Sequence, residues 1–165
     1  MNKSKIIKIR NILFVITAVL LLYYLPKTIY NRHFNPQRLP VTETALETSK
    51  TIDLPDGSRI NLEAKSTFVY TKEFPEHQRK TELKGGAFVD IKDDSRPFVM
   101  KLKRCLLITN QGKILVKEWK GMSYEVFVKA GDLKIEEYNK SGDLENVYKI
   151  KSGKRVIIGE YVQLN

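Results

Sequence analysis

The sequence predicts a mainly β protein: a rolled, solenoid-like or sandwich array of short antiparallel strands, preceded by one N-terminal transmembrane helix. Three observations carry that expectation. Turn-forming clusters recur at short spacing from about residue 49 onward, from Pro55-Asp56-Gly57 to Ser152-Gly153. Between them, short segments alternate apolar and polar side chains, the period of a half-buried strand. Near the N-terminus, Ile12–Leu25 is a run without charge, Gly or Pro, flanked by basic residues. No helical pattern stands out after residue 45.

The charge distribution separates the two parts. The net charge of +10 is concentrated at the N-terminal end. Residues 1–40 hold seven Lys or Arg and no acidic residue, whereas 41–165 hold 22 basic and 19 acidic side chains. A nucleic-acid-binding domain should carry its positive charge on the folded surface, so no nucleic-acid partner is expected.

Taken in order, residues 1–10 read as a basic cytoplasmic tail and 11–26 as a transmembrane signal-anchor. The uncharged run is shorter than a membrane's hydrocarbon core. Extending it back to Ile6 brings in Lys8 and Arg10, which can snorkel toward headgroups. Tyr23 and Tyr24 suit the far interface and Pro26 ends the helix. A cleaved signal peptide would need small residues after the run, and Tyr23-Tyr24-Leu25-Pro26 offers none. The excess of basic residues before the run places the N-terminus inside. The expected location is the inner membrane, with the body in the periplasm. Residues 27–45, with Pro36 and Pro40 and no periodicity, read as a stalk, and 46–165 as the β domain.

Within that domain, Ile52 and Leu54 alternate with polar neighbours, Pro55-Asp56-Gly57-Ser58 turns the chain, and Ile60 and Leu62 resume the alternation. Pro presets φ, Asp bonds its own backbone two residues on, and Gly accepts positive φ. Gly85-Gly86 opens a strand carrying Ala87, Val89 and Ile91. Lys92-Asp93-Asp94-Ser95 turns it, and Pro97-Phe98 starts the next, along which Phe98, Met100 and Leu102 alternate. Tyr124, Val126 and Val128 mark another strand, and Leu133 and Ile135 a further one. Val156-Ile157-Ile158 is continuously apolar and suggests a central strand.

The two blocks LPDGSRINLEAKSTFVY and GGAFVDIKDDSRPF, in this order and at this spacing, resemble the FecR family domain. The matching positions are Leu54–Ser58, Ser66, Tyr70, Gly85–Asp94 and Arg96–Phe98. Of these, Pro55, Asp56, Gly57, Gly85, Gly86, Arg96 and Pro97 are expected to be structural turn residues. The likeness fades after about residue 103, where Ile108-Thr109-Asn110-Gln111-Gly112 stands in place of the family's usual strand. The resemblance implies a relay between an outer-membrane TonB-dependent receptor system and a sigma factor, working by protein–protein contact and without catalysis. The short segment before the apolar run leads us to expect no folded sigma-binding region, and contact through a separate signalling subunit instead. No room is expected for a second receptor-facing domain. The competing reading is a structural or glycan-binding envelope scaffold using the same β domain.

Other chemistry finds little support in the residues. His33, His77 and Cys105 are isolated, too few for a zinc site. Asp90, Asp93 and Asp94 lack the calcium-loop pattern and read as a turn. No nucleotide or nucleophile motif occurs, so neither an enzyme nor a cofactor is expected. Cys105 sits in an apolar segment as a small core side chain, the alternative being a reactive thiol beside Lys101, Lys103 and Arg104. Trp119 and Tyr124, with Phe127, form a possible aromatic interaction face or alternate into the core.

Overall fold

The alternation of apolar side chains becomes two open sheets that share one core. The structure is a computed structural model and describes residues 14, 16–24, 39–119, 123–159 and 163–164. The chain divides into two units, Met1–Pro36 and Gln37–Asn165. In the first, residues 14 and 16–24 are helical. Among the described residues no helix is long and apolar enough to cross a membrane. The expected span over 11–26 is thus seen only as this short helix, the rest of it lying outside the described residues. The expected cytoplasmic tail and residues 27–38 of the expected stalk also lie outside them.

The second unit is all β. In chain order the strands are β1 (Pro40–Ala45), β2 (Lys50–Asp53), β3 (Arg59–Leu62), β4 (Ser66–Thr71), β5 (Arg79–Lys84), β6 (Ala87–Ile91) and β7 (Phe98–Lys101). Then come β8 (Cys105–Thr109), β9 (Gly112–Trp119), β10 (Ser123–Ala130), β11 (Leu133–Tyr138), β12 (Leu144–Ile150), β13 (Arg155–Ile158) and β14 (Gln163–Leu164). One sheet has the order β1-β4-β5-β7-β8-β11-β12 and the other β14-β13-β10-β9-β6-β3-β2. The chain passes between them repeatedly: β2–β3, β4–β5, β7–β8, β9–β10, β11–β12 and β13–β14 are each laid down in one sheet before the chain crosses to the other.

Each connection reverses the chain's direction. Sheet neighbours separated by two intervening strands are therefore antiparallel, as β3 and β6 are. Only β6 intervenes between β5 and β7, and that pair is parallel. The expectation of purely antiparallel strands fails there for this reason. The rolled or solenoid-like alternative fails as well. A solenoid stacks parallel rungs, whereas here antiparallel pairs add to two separate sheets, which form neither a closed barrel nor a coil.

Residues two apart along a strand share a face, and one face of most strands is buried. Strand β10 buries Tyr124, Val126 and Val128 and leaves Glu125 and Phe127 toward the outside. A single hydrophobic cluster joins Phe68, Leu83, Leu107 and Ile135 of the first sheet to Ile60, Val89, Val116 and Val126 of the second. This is sandwich packing.

Two further expectations change. Residues 40–45, placed in the stalk, form β1 and pair with β4 from Pro40–Thr71 to Ala45–Ser66. Only Ala45 of this strand is buried, and a leading Pro suits an edge strand, so its apolar signal is weak. Val156–Ile158 lies in β13, one strand in from the edge, covered by the two-residue β14. It is not central to its sheet.

Candidate functional site

The two motif blocks meet at a buried arginine, Arg79, at the start of β5. Because successive connections alternate between the ends of the sandwich, the 54–58, 92–97 and 110–111 turns all lie at one end. Arg79 has no exposed surface, and its Nη1 lies 2.7 Å from Asp56 Oδ2, whose side chain is 1% exposed. The same guanidinium donates from Nη1 to Lys92 O at 2.9 Å, from Nε to Arg96 O at 3.0 Å and from Nη2 to Asn110 O at 2.6 Å. Its backbone N–H donates to Pro97 O at 2.9 Å. Its cationic carbon lies 5.5 Å from the centre of the Phe98 ring. The planar fork of arginine suits several acceptors held at fixed angles.

Local chemistry shapes the turns to receive it. Asp56 Oδ1 accepts from the Ser58 N–H at 3.0 Å, and Gly57 takes φ +81. The turn closes with Gly57 N–H donating to Leu54 O and Leu54 N–H to Ser58 O. Ser58 Oγ donates to Asp56 Oδ2 at 2.8 Å and accepts from the Lys92 N–H at 3.0 Å. Asp94 accepts from the Arg96 backbone N–H and side chain, closing the second turn. The Arg96 guanidinium holds the Asp94 carboxyl well below the usual carboxylate range.

Pro55, Asp56, Gly57, Arg96 and Pro97 thus come together at one end of the sandwich. Gly85 and Gly86 sit at the other, where the chain leaves β5 for β6. Gly85 has φ +95, and a Cβ there would stand 2.2 Å from Ser66 Oγ. The two glycine N–H groups donate to Glu118 Oε2 at 2.6 Å and Ser66 Oγ at 2.8 Å respectively. The motif glycines allow a close backbone crossing between sheets.

Arg79 was not among the residues singled out from the sequence. Its signal is its phase: Arg79, Thr81 and Leu83 occupy the buried face of β5, and a lone Arg on such a face demands a buried carboxylate. Since its bonds go to the protein's own turns, this cluster is architecture that sets the shape of one end.

Tyr124 does not share a face with Trp119. Tyr124 is buried at 4% exposure while Trp119 is 57% exposed. Trp119 pairs with Ser123 across the β9–β10 ladder and Tyr124 with Glu118, so the two aromatics point to opposite faces. Burial pushes the Tyr124 phenol up to about 12. Cys105 is buried in the core cluster, and its thiol is likewise pushed up to about 12, first by desolvation. That environment opposes a reactive thiolate.

Among the described residues no group of three or more His, Cys, Asp and Glu is placed to hold a metal. His33 lies outside them, and His77 is exposed in the 72–78 loop. Asp90 pairs with Lys113 at 2.9 Å and Asp94 with Arg96 at 2.6 Å. Beside the Arg79 end, an open cleft of about 770 Å³ is bordered by Gln111, Asp132, Lys134, Lys149 and Ser152, among others.

The family profile described as FecR protein matches residues 41–134, from β1 into β11. Two crystal structures of a candidate anti-sigma factor from Parabacteroides distasonis share the fold. The one at 2.50 Å resolution superposes with a TM-score of 0.70 at 21% identity, covering 77% of this chain and 60% of that one. The one at 1.65 Å superposes with a TM-score of 0.69 at 20% identity, covering 76% and 59%. The chain therefore spans about three-fifths of the length of those structures. No curated protein matches it.

Proposed function

The chain belongs to the FecR protein family, and from that premise we propose that it is a signalling regulator of the cell envelope. In this reading the N-terminal apolar segment tethers it to the inner membrane, and the β sandwich stands in the periplasm. It works by binding other proteins: a TonB-dependent receptor system on the outer side, and a separate signalling subunit that carries the signal toward a sigma factor. The observation that carries the proposal is the family match itself, which falls on the sandwich held by Arg79. The fold shared with the candidate anti-sigma factor supports it.

Binding through loops and sheet edges suits such a module. The competing reading, a structural or glycan-binding scaffold, needs Trp119 and Tyr124 on one open face, and Tyr124 lies in the core.

The topology is testable by reporters fused after Asn165 of the full chain. Alkaline phosphatase, which needs the periplasm, is expected to be active there, and a reporter that works only in the cytoplasm inactive. The reverse pattern would contradict a periplasmic β domain.

A further inference from the structure

A second ionisable side chain lies on a buried strand face. Leu133, Ile135 and Glu137 alternate along β11 toward the core, and Glu137 is only 5% exposed. A charge in such a place calls for a partner of opposite sign. For Asp56 that partner is Arg79. Among the described residues no Lys, Arg or His forms an ion pair with Glu137. It accepts instead from a neutral donor, Asn146 Nδ2, at 3.3 Å, and the Tyr148 phenol lies beside it.

Glu137 also borders a cavity of about 280 Å³ at the Gly85 end of the sandwich. Cys105, Tyr124 and Ile158, all buried, line its floor with Glu137. Lys103, Arg104 and Lys140, all exposed, line its rim. There Arg104 Nη2 lies 3.5 Å from Gly159 O. The Cys105 thiol and the Tyr124 phenol are both pushed up to about 12, by burial first, and at Cys105 by the charge of Glu137 as well. Both are therefore neutral at physiological pH. The floor holds one negative charge and the rim holds three positive ones.

We propose that this cavity binds a free α-amino acid, its ammonium group on the Glu137 carboxylate and its own carboxylate toward Arg104 and Lys140. The layout of charge selects the class. A simple cation would satisfy Glu137 but would sit beneath a rim of like charges. A simple anion would meet the rim favourably and then the buried carboxylate. A molecule with both charges on neighbouring groups suits both levels. The volume falls just below the usual range of ligand pockets, about 300–1,000 Å³, which favours a small member of the class. Ile158 offers an apolar wall to a short aliphatic side chain. Such a site is additional to the proposed relay role and does not depend on it.

The test uses the full chain in mild detergent, titrated by calorimetry with glycine, L-alanine and L-valine. Ethylamine and propionate serve as the two halves of the charge pattern. At least one amino acid should bind, and the two halves should bind about tenfold more weakly or not at all. Glutamine at position 137 keeps the shape and can still accept from Asn146, but it carries no charge. Glu137→Gln should therefore abolish binding. Its thermal unfolding midpoint should hold or rise, because no native ion pair is lost. The exposed double exchange Arg104→Gln with Lys140→Gln should weaken amino-acid binding by about tenfold and leave the midpoint unchanged. The proposal is overturned if none of the three amino acids binds, if ethylamine binds as well as they do, or if Glu137→Gln binds normally. A lower midpoint in Glu137→Gln overturns it too, because the carboxylate would then already have a cationic partner within the chain.

Discussion

Replacing Asp56 by alanine is expected to destabilise the β sandwich by about 3–5 kcal/mol, the cost of removing one partner from a buried ion pair. Among the described residues no ion pair is more enclosed, with side chains 0% and 1% exposed and 2.7 Å between them. Alanine would leave the Arg79 cation buried with three backbone carbonyls and no counter-charge. It would also remove the acceptor for Ser58, loosening the turn that reaches Lys92. The midpoint of denaturant unfolding should fall while its slope stays unchanged, which reads as a stability loss without a change of unfolded state. The double variant Asp56→Ala with Arg79→Ala should cost less than the sum of the singles, because the two act as one unit. A single-variant loss below about 1 kcal/mol, the range of exposed pairs, would mean the arginine does not hold the motif turns together.

Gly85→Ala is expected to cost about 2–5 kcal/mol, from two sources that can be separated. Positive φ costs a side chain about 1–2 kcal/mol, and overpacking adds about 1–3 kcal/mol. Gly85 incurs both: φ is +95, and the new Cβ would meet Ser66 Oγ at 2.2 Å and the Ser66 Cα at 2.9 Å. The backbone of β4 cannot swing aside as a flexible side chain would. Gly142 provides the control, with φ +91 and nothing within 4 Å of the added carbon. Gly142→Ala should therefore lose only the conformational part. Equal losses at the two positions would show that close approach is not what requires glycine at position 85.

What the sequence revealed follows from where each signal lies. The 54–58 turn was legible because its information is local: Asp56 bonds Ser58 N–H two residues on, and Gly57 takes φ +81. The strand Ala87–Ile91 was legible because its alternate residues Ala87, Val89 and Ile91 all face the core. Alternation identifies a strand's buried face but not its sheet, so the division into two sheets stayed hidden. The parallel β5–β7 pair was hidden for the same reason, since it depends on a single intervening strand in the opposite sheet. Strand β1 escaped because an edge strand needs little apolar surface, and only Ala45 is buried. The Arg79–Asp56 pair joins residues 23 apart in sequence, and nothing local links them. The pairing of Trp119 with Tyr124 failed on phase, because the two fall on opposite faces of the β9–β10 ladder.

The regulatory reading is tested most directly by transcription. Sigma-dependent transcripts would be measured in cells with the gene deleted, and again with the full chain or its Asp56→Ala variant restored. The account predicts that deletion changes those transcripts, that the full chain returns them to their original level, and that the destabilised variant returns them only in part. Transcript levels unmoved by deletion, with no receptor or regulatory partner crosslinked to the chain in membranes, would contradict it.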